Sequence, residues 1–307
     1  MRRTAFLAGA AAALLSACTS VEQRIPLIPD EPKVCTYCEA WNQPLEPYQI
    51  VANTWYVGTA GLASILITSD TGHVLIDGGL PQSAPVIEAS IERLGFRLGD
   101  VALILSSHAH FDHVGGLAAL VRASGARVAA SRASALALAS GTWAEGDPQA
   151  GFGPTAGSFP PVTVDQIVDN GAVLEVGELR ITAHLTPGHT AGGTTWAWES
   201  CDATRCYDVV YADSINPVSA PDFRYSRSRN PAVAFGAVQE SIDRVAGLSC
   251  DVLLSPHPFY FEMKEKLSAR TDASAFNPFV DDRGCRTYAE KTQERLDQRR
   301  TAEAGGP

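Results

Sequence analysis

The chain has 307 residues, 45% of them apolar, with 34 acidic against 24 basic side chains and a formal net charge of −10. A chain of that size and composition can bury a large core, and its acidic balance argues against nucleic-acid binding, which draws its affinity from basic surfaces.

In chain order, Arg2-Arg3, an apolar run from Ala5 to Leu15, and Ser16-Ala17-Cys18 form a short export signal. The run is too short to span a bilayer as a mature helix. Its end reads as a bacterial lipoprotein box, Leu15-Ser16-Ala17-Cys18, implying cleavage before Cys18 and lipid attachment to it; an ordinary cleaved signal is the alternative. Residues 1–17 are thus expected to be a signal peptide, 18–46 an N-terminal extension and 47–307 one domain with no internal linker. Losing Arg2 and Arg3 takes the formal charge from −10 to −12. The expected location is the periplasm, with anchoring to the outer membrane through Cys18. Past the signal, Cys35, Cys38, Cys201, Cys206, Cys250 and Cys285 are an even set that reads as up to three disulfides in an oxidising compartment. Short spacing favours Cys201 with Cys206. Cys35 and Cys38 read as a local disulfide, since no second CxxC exists for a zinc ribbon and no βαβ pattern surrounds them for a redox motif.

Alternation over 54–66 and 74–77 predicts strands, and 82–94 a helix. A strand over 101–105 leads into His108-Ala109-His110-Phe111-Asp112-His113, after which 115–121 and 131–139 read as helical. Residues 141–163, rich in Gly, Pro and small residues, predict a loop beside the site. Strands recur near 173–186, 194–198 and 207–212. A helix over 231–248 with Phe235, Val238, Ile242 and Val245 on one face, a strand over 251–254 and a final helix complete the chain, and the polar tail from Glu290 to Pro307 is expected to fray after one helix. Two β-rich halves with helices outside predict an α/β fold, a four-layer αββα sandwich with the candidate ligands on loops at one rim.

The segment 108–113 places three imidazoles and a carboxylate within six residues. Residues two apart point to one side, so His108 and His110 can share one metal while Asp112 and His113 turn to another. Zinc accepts imidazole nitrogen and carboxylate oxygen and usually takes four ligands. One cluster cannot complete two such shells, so further histidines are required. His189, in the turn Pro187-Gly188-His189, and His257, in Ser255-Pro256-His257, read as loop ligands. His184 alternates with apolar neighbours and reads as a packing or supporting residue, and His73, beside Asp70-Thr71-Gly72, as solvent-facing.

The HxHxDH segment, Gly188-His189-Thr190 and Ser255-Pro256-His257, in this order, resemble the metallo-β-lactamase fold and more closely its subclass B3. Trp55-Tyr56-Val57-Gly58-Thr59, Leu75-Ile76-Asp77-Gly78-Gly79, Ala212-Asp213-Ser214 and Asn277-Pro278-Phe279 extend the match over about residues 38–290. The resemblance implies two Zn2+ per chain, one held by His108, His110 and His189, the other by Asp112, His113 and His257. It also implies a shared hydroxide that Asp112 orients, with Asp112 relaying a proton. Asp77 buttresses the metal loop in the family, and the resemblance pairs Cys250 with Cys285. Glyoxalase II carries a metal-bridging aspartate in a GDTLF-like stretch where this chain has Ala212-Asp213-Ser214. Ser214 is therefore the substrate-side candidate and Asn216 a weaker one, with Asp213 as a bridging ligand the alternative. The implied function is a monomeric periplasmic zinc β-lactamase that opens the amide of penicillins, cephalosporins and carbapenems and confers antibiotic resistance. Another exported hydrolase of this fold, a lactonase or thioesterase, is the alternative, and a non-catalytic metal-binding scaffold is the third reading.

Overall fold

The computed structural model describes residues 25–270 and 277–305; the signal peptide and Cys18 lie outside the described residues. Seven strands pair in sequence order as one sheet: β1 (Tyr48–Val51), β2 (Thr54–Tyr56), β3 (Ile65–Ile67), β4 (His73–Ile76), β5 (Val101–Leu105), β6 (Arg127–Ser131) and β7 (Gln166–Val168). β1 to β4 are antiparallel and β4 to β7 parallel. The second sheet holds β8 (Val173–Val176), β9 (Leu179–Leu185), β10 (Thr194–Cys201), β11 (Cys206–Tyr211) and β12 (Val252–Leu254), in the order β12-β11-β10-β9-β8. Helices Ala84–Arg93, Leu117–Ser124 and Arg132–Ser140 cover the first sheet, and Phe235–Ala246 and Gly284–Ala304 the second. This is the four-layer αββα sandwich.

The layers follow from the two-residue period of a strand. Ile65, Ile67, Val74, Ile76, Leu103 and Leu105 join Trp196, Trp198 and Val209 in the core between the sheets. Their alternates Leu66, Leu75 and Ile104 point the other way and pack with Ile87, Ile91, Leu117 and Leu120 of the outer helices. All are shielded from water, so every strand of this group is buried on both faces.

Several expectations change. The stretch 54–66 is two strands joined by a loop, and β1, β6 and β7 have no sequence counterpart above. His73 is buried: it begins β4, and its ring meets the Phe96 ring edge-on at 5.2 Å. Its loop neighbours are polar, but the strand pairing turns it inward. The final helix runs through the polar stretch after Glu290 as Gly284–Ala304, tied at its far end by Glu303, which accepts the Tyr225 and Ser226 N–H groups. Residues 25–46 pack on the domain: Lys33 N and O exchange hydrogen bonds with the Gln82 carboxamide, and the Trp41 ring lies 5.4 Å from that of His257. Disulfides join Cys35 to Cys38, Cys201 to Cys206 and Cys250 to Cys285.

Candidate metal centre

β5 ends at Leu105, and His110 is still extended at φ −104°, ψ 150° before Phe111–Val114 closes one helical turn. His113 and Val114 N–H both return to the His110 carbonyl at 3.0 Å. That change of direction sends His108 and His110 to one side and Asp112 and His113 to the other. The turn sits backbone against backbone on the loop after β4, where a Cβ on Gly116 would stand 2.3 Å from the Gly78 carbonyl oxygen. His189 and His257 arrive from the loops after β9 and β12. His108, His110 and His189 offer ligand atoms within 4.8 Å of one another, and so do Asp112, His113 and His257.

The second triplet has a telling geometry. Asp112 Oδ2 lies 3.3 Å from His113 Nε2 and 3.4 Å from His257 Nε2. A charge-assisted hydrogen bond would be shorter, about 2.7–2.9 Å, whereas ligands 2.0–2.1 Å from a tetrahedral zinc stand roughly 3.3 Å apart. In the first triplet the outer nitrogen of each ring is already taken. His108 Nδ1 is 2.7 Å from Asp213 Oδ1, His110 Nε2 is 3.1 Å from Asp147 Oδ2, and His189 Nδ1 donates to the Asn216 carbonyl at 3.1 Å. His108 Nε2 is buried without a partner. An orphaned imidazole nitrogen in a nitrogen and oxygen donor set of this spacing fits zinc.

Burial pushes His108, His113 and His189 well below the usual histidine range and lowers His257 as well, so their rings are neutral and keep a lone pair for a metal. Burial also opposes charge on His110, but the carboxylates around it, Asp147 first and then Asp112 and Asp213, together outweigh it and raise this one pKa. Asp147 is correspondingly held below the usual carboxylate range by His110, against its own burial.

Asp77 is fully buried at φ 59°, an uncommon conformation for a residue with a side chain. Its carboxylate accepts Ser107 N–H at 2.8 Å, Ser107 Oγ at 2.7 Å and Tyr211 Oη at 2.8 Å, bracing the strand end that carries His108. Burial pushes its pKa up to about 7. Asp213 lies behind His108, bonded to the nitrogen facing away from the triplet, and is in neither ligand group. Burial raises its pKa well above the carboxylate range, and Tyr288 Oη holds its carbonyl at 2.9 Å. Ser214 is 1% exposed and its Oγ has no partner. The Asn216 carboxamide is engaged, donating to Tyr260 Oη at 2.6 Å, so its backbone carbonyl rather than its side chain serves the site. His184 stays apart, in β9 opposite Thr195.

Three contributors were not singled out in the sequence. Asp147 supports His110, Gln149 Nε2 lies 3.3 Å from His189 Nε2, and the Trp143 ring meets His110 edge-on at 5.0 Å. The usable signal was Gly146-Asp147-Pro148, an acidic turn inside the loop already placed beside the site.

A profile described as the Metallo-beta-lactamase superfamily matches residues 60–201. Among solved structures, the Rm3 metallo-beta-lactamase is 46% identical with a TM-score of 0.84, covering 88% of this chain and 99% of that one. MEM-A1, a subclass B3 metallo-beta-lactamase from a soil metagenome library, is 43% identical with a TM-score of 0.80, covering 86% and 98%. The hydroxyacylglutathione hydrolase of Ectopseudomonas mendocina (strain ymp) is 34% identical over 139 residues, 45% of this chain and 42% of that protein. The chain thus spans about two fifths of the length of the curated relatives it matches.

Proposed function

Because the chain belongs to the metallo-β-lactamase superfamily and carries the two ligand triplets of a metal-dependent hydrolase, we propose that it is a subclass B3 zinc β-lactamase. Its substrates on this reading are penicillins, cephalosporins and carbapenems. The observation that carries the choice of substrate is Asp213. A bridging aspartate would mark the thioesterase branch, and here Asp213 Oδ1 is spent on His108 Nδ1, on the far side of the ring from the other ligands.

His108, His110 and His189 would hold one zinc and Asp112, His113 and His257 the other. Zinc bound there supplies Lewis acidity and lowers the pKa of water. Asp213, Asp147 and the Asn216 carbonyl each fix the tautomer and aim of one imidazole. Asp112, between the two histidines of its triplet, is placed to take a proton from water and return it to the departing amide nitrogen. The unpartnered Ser214 Oγ is the hydroxyl available to a substrate carboxylate. Three disulfides support an oxidising compartment. With the N-terminal signal they support export to the periplasm, and the Leu15-Ser16-Ala17-Cys18 box supports anchoring through Cys18.

The curated hydroxyacylglutathione hydrolases favour a second reading, an exported thioester hydrolase on the same metal pair. The test is kcat/KM of the zinc-loaded protein on one penicillin, one cephalosporin, one carbapenem and S-lactoylglutathione. Turnover of the β-lactams at least a hundredfold better than the thioester supports the lactamase; the reverse order replaces it with the thioesterase.

A further inference from the structure

A second cleft, of about 1090 Å³, opens on the outer side of the loop that supports His110. Its floor is the exposed face of helix Arg132–Ser140, where Leu136 is 70% exposed, and its walls carry Trp143 and Phe223. Three arginines, Arg224, Arg227 and Arg229, line it together. Among the described residues no carboxylate pairs with any of the three side chains, although acidic residues outnumber basic ones 34 to 24 in this chain. Two carboxylates, Glu145 and Asp222, also line the cleft, which leaves one net positive charge there in a chain of net charge −10.

The arginine segment is held rigidly from behind. Glu303 accepts Tyr225 and Ser226 N–H, Arg299 donates to the Phe223 carbonyl at 2.7 Å, and Tyr225 Oη donates to the Val218 carbonyl at 3.2 Å. The backbone is thus braced while the guanidinium groups stay free. Guanidinium forks recognise planar oxyanions such as carboxylate and sulfonate, and the apolar and aromatic surfaces beside them suit a flat ring. We propose that this cleft binds a small aromatic anion, an aryl carboxylate or sulfonate, at a site distinct from the metal centre. Trp143 forms the shared wall: its ring meets His110 and its Nε1 donates to the Gly153 carbonyl at 3.1 Å.

The test is calorimetric titration of the zinc-loaded full-length protein with naphthalene-2-sulfonate and with the uncharged 2-naphthalenemethanol. The expected result is one saturable sulfonate site per chain, at least tenfold weaker binding of the alcohol, and at least tenfold weaker sulfonate binding to the Arg224→Ala/Arg227→Ala/Arg229→Ala variant. Circular dichroism on that variant confirms that it is folded. Sulfonate binding should also change tryptophan fluorescence, and Trp143→Phe should keep the calorimetric site while losing that change. Equal binding of the two probes, unchanged sulfonate binding in the folded arginine variant, or no saturable site overturns the proposal.

Discussion

Asp213 Oδ1 and His108 Nδ1 stand 2.7 Å apart with both side chains fully buried, and the contact joins residues 105 positions apart in the chain. It leaves His108 Nε2 as the free nitrogen, so the carboxylate selects the tautomer that can bind a metal. Asp213→Ala should therefore weaken the first zinc by roughly ten- to a hundredfold, the usual cost of losing such a support, while the second zinc holds. Competition against a chromogenic chelator measures both affinities. Loss of both metals together would mean that Asp213 touches both.

Asp147 offers the same support from the other side, with a different signature. Because it raises the His110 pKa, removing its charge as Asp147→Asn takes away the strongest opposition to burial and lowers that pKa. His110 titration followed by NMR in the zinc-free protein should shift to lower pH, and a shift upward would contradict the assignment.

Ser214→Ala should raise KM for several β-lactams with zinc content unchanged. One hydrogen bond to a charged group is worth about 1.5–3 kcal/mol, roughly ten- to a hundredfold in kcat/KM. Asn216→Ala should cost less at the substrate, since its carboxamide is bonded to Tyr260. Paired kinetics and elemental analysis decide, and a larger KM effect at Asn216 reverses the two roles.

The Asp77 carboxyl, at about 7 when folded against 3.8 as a free group, binds more protons in the native state than in the unfolded chain between those values. The native state thus loses stability as pH rises through that window and changes little above it. Relative to Asp77→Asn, which does not titrate, the wild type should lose about 2–3 kcal/mol between pH 5 and pH 8. Urea denaturation of both proteins at the two pH values gives the difference; a gap that widens in the opposite direction would show that the carboxylate is ionised throughout.

The Cys250–Cys285 bridge closes a separation of 35 residues and ties β12, which leads to His257, to the helix carrying Tyr288. Loop entropy assigns it about 4 kcal/mol, and about 2 kcal/mol to the five-residue closure at Cys201–Cys206. Serine pairs at each site should lower Tm in that order in calorimetry, and the reverse order would show that strain cancels the longer loop's advantage.

The six ligand candidates were legible because four of them crowd into the one segment 108–113 and the other two sit in short turns, His189 after Gly188 and His257 after Pro256. The strand Val101–Leu105 was readable from an unbroken apolar run bounded by polar residues. β6 was not, because Arg127-Val128-Ala129-Ala130-Ser131 carries a single β-branched residue, and β7 was not, because it is three residues long at the sheet edge. Asp147 was invisible for another reason: its contact with His110 spans 37 residues from a loop without periodicity. How far the last helix runs was not legible, since its polar residues find partners, such as Glu303 with Tyr225, only in the folded chain.

Nitrocefin turnover measured against bound zinc tests most directly whether a zinc pair hydrolyses β-lactams in this protein. Chelator-stripped protein should be inactive, and activity should rise with added zinc and level off at two equivalents per chain. Protein carrying two zinc ions that leaves nitrocefin intact would contradict the account.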